Sequence, residues 1–400
     1  MGVEWKNLYA KRLQRMTTSV IREILKVAQA PDVISMAGGW PDAALFPVDQ
    51  IRAVCDDVLR EMPRESLQYG LTDGLPALRE ALADYMTAQG IPARMENIVI
   101  VSGSQQALDL AGRILLDEGD AVLVERPTFL GALQSFNAYG ARYITVPVDD
   151  EGAQPEAIAS AIERHHPKFM YLLPTFQNPT GVTMSLERRR RVVAIAAEYG
   201  VPIVEDDPYG QLRFAGDPLP PLAALDRARG GENVIYLSTF SKTLAPGLRL
   251  AWAVCSAEVA QQFVMAKQGA DLHSNALAQT IALEFLRRGL LAPQVQRIRE
   301  TYRARRDAMC EAIAEFFPPE VHYTQPEGGL FLWVTLPQGM DAVSLLQEAA
   351  KKKVAFVPGA PFFADGGGEN TLRLSFACMP PEIIVEGIRR LAGVIRKAMA

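Results

Sequence analysis

Apolar and polar positions along the chain follow two alternating rhythms. Short runs rich in β-branched and aromatic residues recur at 97–101, 121–125, 141–146, 169–173, 201–205, 234–238 and 250–254, which predicts seven strands. Between most of them the apolar positions recur with helical spacing. In 105–116 they fall at 107, 108, 110, 111, 114 and 115, and 186–199 is a second such stretch, with Ser185 placed to cap it. Strands alternating with helices make a mostly parallel sheet covered on both faces, a three-layer αβα architecture. From about 290 the rhythm changes to a long charged helix over 295–316, strands near 328–334 and 371–376, and a closing helix over 381–399. This part reads as a smaller α+β domain. Residues 1–46 hold one helical pattern and a Pro/Gly-rich turn, too little to fold alone, and are expected to pack against the C-terminal part. The expected division is therefore 1–46, 47–290 and 291–400.

Composition narrows the function more than the fold. The 400 residues are 49% hydrophobic and 22% charged, which excludes a disordered or collagenous chain, and the pattern holds no run suited to a membrane span. Forty-one basic against 46 acidic residues leave a net charge of −5, which argues against nucleic acid or an anionic membrane as the main partner. Small molecules are the expected ligands. Cysteines at 55, 255, 310 and 378 are too scattered for a zinc cluster or a disulfide framework, and His165, His166, His273 and His322 lack ligand spacing, so no metal is expected. The first residues carry no apolar leader, and Lys6 stands where a myristoylation signal wants Ser or Thr. A reducing cytoplasm is the expected setting.

In an open parallel sheet, ligands bind at the carboxyl ends of the strands, so the residues just after each strand carry the chemistry. After 97–101 comes Ser102-Gly103-Ser104-Gln105-Gln106, which can hold a phosphate through helix N-terminal N–H groups and hydroxyls, or can be a plain helix cap. It matches neither a dinucleotide fingerprint nor a P-loop. Thr239, Ser241 and Arg249 offer further anion ligands. Lys242 follows an apolar strand directly and stands beside hydroxyls rather than acids. Partial burial there would lower its pKa and free the amine as a nucleophile, the bland alternative being a solvated lysine. Asp206 follows another apolar strand and needs a cationic or proton-bearing partner, which a protonated ring nitrogen would supply. Tyr209, three residues on, can donate to a ring oxygen from the same turn, the alternative being a Tyr that caps the sheet edge. A ring with a phosphate, a basic nitrogen, a phenolic oxygen and an aldehyde is pyridoxal phosphate.

With these residues in place, the sequence resembles the fold-type I pyridoxal-phosphate aminotransferases, and within them the branch of 2-aminoadipate, kynurenine and aromatic aminotransferases. The resemblance runs from Ile34-Ser-Met-Ala-Gly-Gly-Trp-Pro41 to Leu372-Arg-Leu-Ser-Phe376, with Asn178-Pro-Thr-Gly181, Ser241-Lys242 and Pro246-Gly-Leu-Arg249 as its most specific parts. It implies an aspartate-aminotransferase-like fold, Lys242 covalently joined to the cofactor aldehyde, Asp206 on the ring nitrogen, and Asn178 and Tyr209 on the phenolic oxygen. It gives the phosphate to Ser104, Gln105, Thr239, Ser241 and Arg249, with Tyr69 reaching in from the other subunit of a homodimer. Phe129 stands where relatives often have a Tyr stacked on the ring. Arg373 matches the arginine that binds the substrate α-carboxylate, a solvated strand position being the alternative. Gly39 and Trp40 match the loop that closes over the substrate, with Trp in place of a more usual Leu. Arg22 matches a helix arginine that meets an acidic or aromatic substrate side chain, against a solvated charge on an amphipathic helix.

The activity this implies is transfer of an amino group between an L-amino acid of 2-aminoadipate, glutamate or aromatic type and a 2-oxo acid. Lys242, Asp206 and Tyr209 would be catalytic, and kinetics would be ping-pong. A lyase or decarboxylase on the same fold would need a different bond aligned with the ring's π system. An aminotransferase-like sensor domain of a regulator would follow a winged-helix domain, for which the fewer than 50 residues before Pro47 leave no room. A nicotinamide dehydrogenase would need the glycine fingerprint that this chain lacks.

Overall fold

The computed structural model describes residues 2–16 and 32–400. Its strands are β1 (Ile34–Ser35), β2 (Ile98–Val101), β3 (Ala121–Arg126), β4 (Arg142–Asp149), β5 (Gly152–Ala153), β6 (Phe169–Leu172), β7 (Ile203–Asp206), β8 (Val234–Thr239), β9 (Ala251–Val254), β10 (His322–Tyr323), β11 (Phe331–Thr335), β12 (Val354–Ala355), β13 (Val357–Pro358) and β14 (Thr371–Ser375). All seven expected strands form one sheet, in the order β2-β9-β8-β7-β6-β3-β4, and the two-residue β5 adds an eighth at the edge. The pairs from β4 to β8 are parallel, while β9 runs antiparallel to both its neighbours. Strand β4 continues to Asp149, beyond the expected 146, because β5 folds back on its end. Strand β7 begins after Pro202 and includes Asp206 as its last residue.

Each central strand is apolar throughout because both its faces are covered. Ile98 and Ile100 pack with Leu123, Met170, Ile203 and Tyr236 on one face. Val99 and Val101 pack with Val124, Tyr171, Val204 and Leu237 on the other. Helices Pro76–Ala88, Leu186–Tyr199 and Ala276–Arg287 supply the first layer's apolar stripe, and Ser104–Leu115, Leu130–Asn137 and Ala257–Gln268 the second. Ser185 caps Leu186–Tyr199 by accepting from the Arg188 N–H, and Gly200 ends that helix with φ of +65°.

The C-terminal part is a four-stranded antiparallel sheet, β10-β11-β14-β13, against helices Leu291–Phe316 and Pro381–Met399. The long helix starts four residues before its expected beginning. Pro293 lies in its first turn, where no intrahelical N–H is required, and Leu291 and Gln294 are already buried. Strand β1 pairs in parallel with β12, and Met36 is buried in the small core beside Leu374 and Ile388. Phe176, Tyr209 and Leu212 from loops of the large sheet enter that same core, so the carboxyl ends of β6 and β7 face the small sheet.

The loop after β6 is held by one buried cation. Arg189 is fully buried and donates to the carbonyls of Met184 (2.9 Å), Pro220 (3.1 Å) and Pro174 (2.7 Å) and to the Thr175 hydroxyl (2.9 Å). Arg189→Met keeps the volume but strips these acceptors of their donor. It is expected to lower unfolding stability by about 3 kcal/mol in urea titration, and a loss within experimental error would refute the anchoring role.

Candidate active site

The turn after β2 is shaped by what must lie close to it. Gly103 has φ of +90°, and a Cβ there would collide with the Arg249 guanidinium, so glycine answers both requirements. Helix Ser104–Leu115 starts at the next residue, with Gly103 rather than a serine in the capping position. The Ser104 hydroxyl is buried and has no hydrogen-bond partner among the described residues. The Gln105 amide turns away, donating to Gly131 O at 2.8 Å and Ser135 Oγ at 2.6 Å, so its backbone N–H is what it offers an anion. Opposite, the Thr239 hydroxyl lies 2.9 Å from Ser241 Oγ and accepts from the Ser241 N–H at 3.0 Å. Arg249, itself at φ of +51°, completes this end.

At the other end of the cavity Arg373 is 3% exposed, which excludes the solvated alternative. It donates to Asn178 Oδ1 at 2.8 Å and to Ala37 O at 3.2 Å, lies 4.0 Å from the Phe331 ring centre, and keeps a buried Nε with no partner. Burial lowers its pKa to about 10. The Arg373 bond fixes the oxygen side of the Asn178 amide, leaving the amide nitrogen toward Tyr209. Burial drives the Tyr209 phenol well above its ordinary pKa.

Between the two ends stand an acid and an amine. Asp206 Oδ2 accepts from the Tyr171 hydroxyl at 2.9 Å, while Oδ1 is buried without a partner. Burial pushes this carboxyl up to about 7, against the opposing pull of the Tyr171 bond. Lys242 Nζ donates to Gly39 O at 2.9 Å. Burial, helped by Arg373, lowers its pKa to about 8.

Gly39, Trp40, Ser104, Gln105, Phe129, Asn178, Asp206, Tyr209, Thr239, Ser241, Lys242, Arg249 and Arg373 thus line one cavity of about 380 Å³. Tyr69 does not: it is 80% exposed and meets the edge of His273. Arg22 lies outside the described residues. Sequence reasoning missed Tyr171, whose hydroxyl holds Asp206, and the lining residues Pro41, Leu173, Pro208 and Pro246. Tyr171 carried a usable signal, because a phenol inside an apolar strand needs a buried acceptor. Among the described residues, no group of three or more His, Cys, Asp or Glu is arranged to hold a metal ion, and no helix is long and apolar enough to cross a membrane.

The cavity therefore has hydroxyls, a helix N-terminus and Arg249 at one end, a buried carboxyl and an amine in the middle, and the buried Arg373 guanidinium at the other. The family model for aminotransferases of class I and II matches residues 32–391. The chain belongs to that family. It is 44% identical to a 2-aminoadipate transaminase of Thermus thermophilus over 398 residues, covering 100% of this chain and 99% of the relative. It is 43% identical to an aromatic-amino-acid aminotransferase of Thermococcus litoralis, covering 99% and 96%. A crystal structure of the Thermus thermophilus α-aminoadipate aminotransferase, complexed with N-(5'-phosphopyridoxyl)-L-leucine, superposes with a TM-score of 0.93 at 43% identity and 99% coverage of both chains. The aminotransferase fold expected from the sequence is thus the one observed.

Titration of Asp206 gives a test of this aminotransferase cavity without its cofactor. The folded pKa of about 7 exceeds the unfolded value of ~3.9. Its protonated form therefore favours the fold fully below ~pH 4, and that contribution is lost as pH rises through 7. In cofactor-free protein, Asp206→Asn should raise urea stability on the order of 2 kcal/mol at pH 8 and make no difference near pH 4. An equal effect at both pH values would contradict the burial argument.

Proposed function

We propose that this chain moves an amino group between an L-amino acid of 2-aminoadipate, glutamate or aromatic type and a 2-oxo acid, in a ping-pong cycle. The observation that carries the reading is the convergence of the Lys242 amine, the unpartnered Asp206 oxygen and the buried Arg373 on one cavity. The protein is an aminotransferase, and its cofactor is pyridoxal 5'-phosphate. When bound, that group supplies an aldehyde for an amine to join and a protonated ring that withdraws electrons from the substrate α-carbon.

The chain's own groups divide the remaining work. Asp206 Oδ1, unpartnered while Tyr171 holds Oδ2, would accept the ring N–H. Asn178 and Tyr209 would donate to the ring oxygen, and Phe129 would cover a ring face. Ser104 Oγ, the Gln105 N–H, Thr239, Ser241 and Arg249 would receive the phosphate. Lys242 Nζ, its pKa lowered by burial to about 8, would take the proton from the substrate α-carbon and return it as acid. Arg373 would bind the substrate α-carboxylate and so direct the Cα–H bond to Lys242. Gly39 and Trp40 close the substrate side.

The same reading makes the active unit a homodimer, with the exposed Tyr69 reaching the phosphate of the other subunit, and places the enzyme in the cytoplasm, in keeping with four unbridged cysteines. It divides the chain into a segment 1–46, a cofactor-binding domain 47–290 and a C-terminal domain 291–400. Arg22 is assigned to the distal end of the substrate, pairing with a carboxylate or lying on an aromatic face.

Two measurements test these assignments. With doubly labelled glutamate, label should pass from the amine to an added oxo acid without release of carbon dioxide, and Lys242→Ala should slow this by at least about a thousandfold. Carbon dioxide release, or turnover surviving in Lys242→Ala, would defeat the proposal. Arg22→Ala should lower kcat/KM for 2-aminoadipate about tenfold or more relative to alanine. Equal retention for aminoadipate, phenylalanine and alanine would remove Arg22 from specificity.

A further inference from the structure

Lys267 is a lysine with no exposed surface, on helix Ala257–Gln268 and outside the cavity. A lysine is almost never fully buried unless paired, and a buried ion pair contributes little net stability, so its presence asks for a positional explanation. Its Nζ donates to Asp271 Oδ1 at 2.7 Å. Asp271 Oδ2 accepts from the Ser102 hydroxyl at 2.8 Å. Gln106, which also bonds Asp271, accepts from the Ser102 N–H at 2.7 Å. Ser102 is thus held at both its N–H and its hydroxyl. Burial pushes Asp271 up, but its bonds to Lys267, Gln106 and Ser102 outweigh that and hold it ionised.

Ser102 stands immediately before Gly103 and two residues before Ser104, in the turn where the chain passes from β2 into the helix. Gly103 has no side chain with which to fix itself, and Arg249 presses on it from the cavity side. The anchored Ser102 is the counterpart on the other side of that turn. We propose that the Lys267–Asp271 pair is a positioning device that clamps Ser102 and thereby aims the Ser104 hydroxyl and the adjoining helix N–H groups at the cofactor phosphate. This rests on the reading of Ser104 and Arg249 as phosphate ligands. Lys267 and Asp271 do not line the cavity themselves and act through Ser102, directly and by way of Gln106.

The test compares two cofactor forms on the full-length protein, pyridoxal phosphate and phosphate-free pyridoxal, by absorbance titration. In Asp271→Asn, Lys267→Met and Ser102→Ala, the Kd for pyridoxal phosphate is expected to rise on the order of tenfold while that for pyridoxal moves less than about twofold. Combining Asp271→Asn with Ser102→Ala should add little to either alone, because both break one linkage. Ser102→Ala removes a single hydroxyl and carries the test even if Lys267→Met fails to fold. Equal weakening of both forms, or an unchanged Kd for pyridoxal phosphate, would overturn the proposal. Arg249→Ala and Ser104→Ala separate the two levels. If they keep the preference for the phosphorylated form, the cradle reading itself falls; if they lose it and Asp271→Asn does not, only the clamp falls.

Discussion

A carboxyl and an amine desolvated around the same small cavity are the constraint on which the site depends. Burial is the chief cause that moves the two in opposite directions, Asp206 up to about 7 and Lys242, with help from Arg373, down to about 8, so each is brought near the pH at which it can exchange a proton. Neither arrangement favours the empty fold. Asp206 has one oxygen satisfied by Tyr171 and the other by nothing among the described residues, a desolvation cost that the surrounding sheet must offset. The five strands from β4 to β8 supply that surplus through two continuous apolar layers, and the polar groups of the cavity gather where those strands end.

The cavity's charge follows from the same layout. Among the described residues, Lys242, Arg249 and Arg373 line it, against the single carboxyl of Asp206. Arg373 in particular is bonded to an amide and a backbone carbonyl and stacked on aromatic rings rather than paired with an acid. A guanidinium held in this way keeps its bidentate capacity for a carboxylate from outside. Under the proposed assignment, a phosphate at one end and a carboxylate at the other would meet these cations. A compound with a single anionic group leaves one cation uncompensated in a low-dielectric pocket.

Most of this layout was legible in the sequence because it obeys local rules. Uninterrupted apolar runs marked the buried strands, and the polar residues immediately after 101, 173, 205 and 238 marked the crevice, since strand ends are where side chains escape the two covering layers. The alternation in 371–376 allowed Arg373 to be either solvated or buried. Tertiary packing decided it, because β14 is flanked by β11 and β13 and roofed by Phe331 and Phe362. The Tyr171–Asp206 bond spans 35 residues and two strands, and the Ser102–Asp271 bond spans 169, so neither could be read from spacing. Gln105 shows the opposite limit: it lines the cavity, but its side chain serves Gly131 and Ser135.

The segment 37–40 connects these parts in a way no single motif would reveal. Its carbonyls accept from three residues of the site region: Ala37 O from Arg373, Gly39 O from Lys242 and Trp40 O from Cys378. One end of the segment is tied to the C-terminal part through the pairing of β1 with β12, and the Trp40 ring packs against Gly38 at the cavity mouth. Any reaction that consumes the Lys242 amine removes the donor to Gly39, leaving the segment held chiefly by Arg373 and Cys378. A substrate carboxylate that engages Arg373 then competes with the Ala37 bond. The backbone at the cavity is thus bonded to the two groups proposed to meet the substrate, Lys242 and Arg373, which couples its position to theirs.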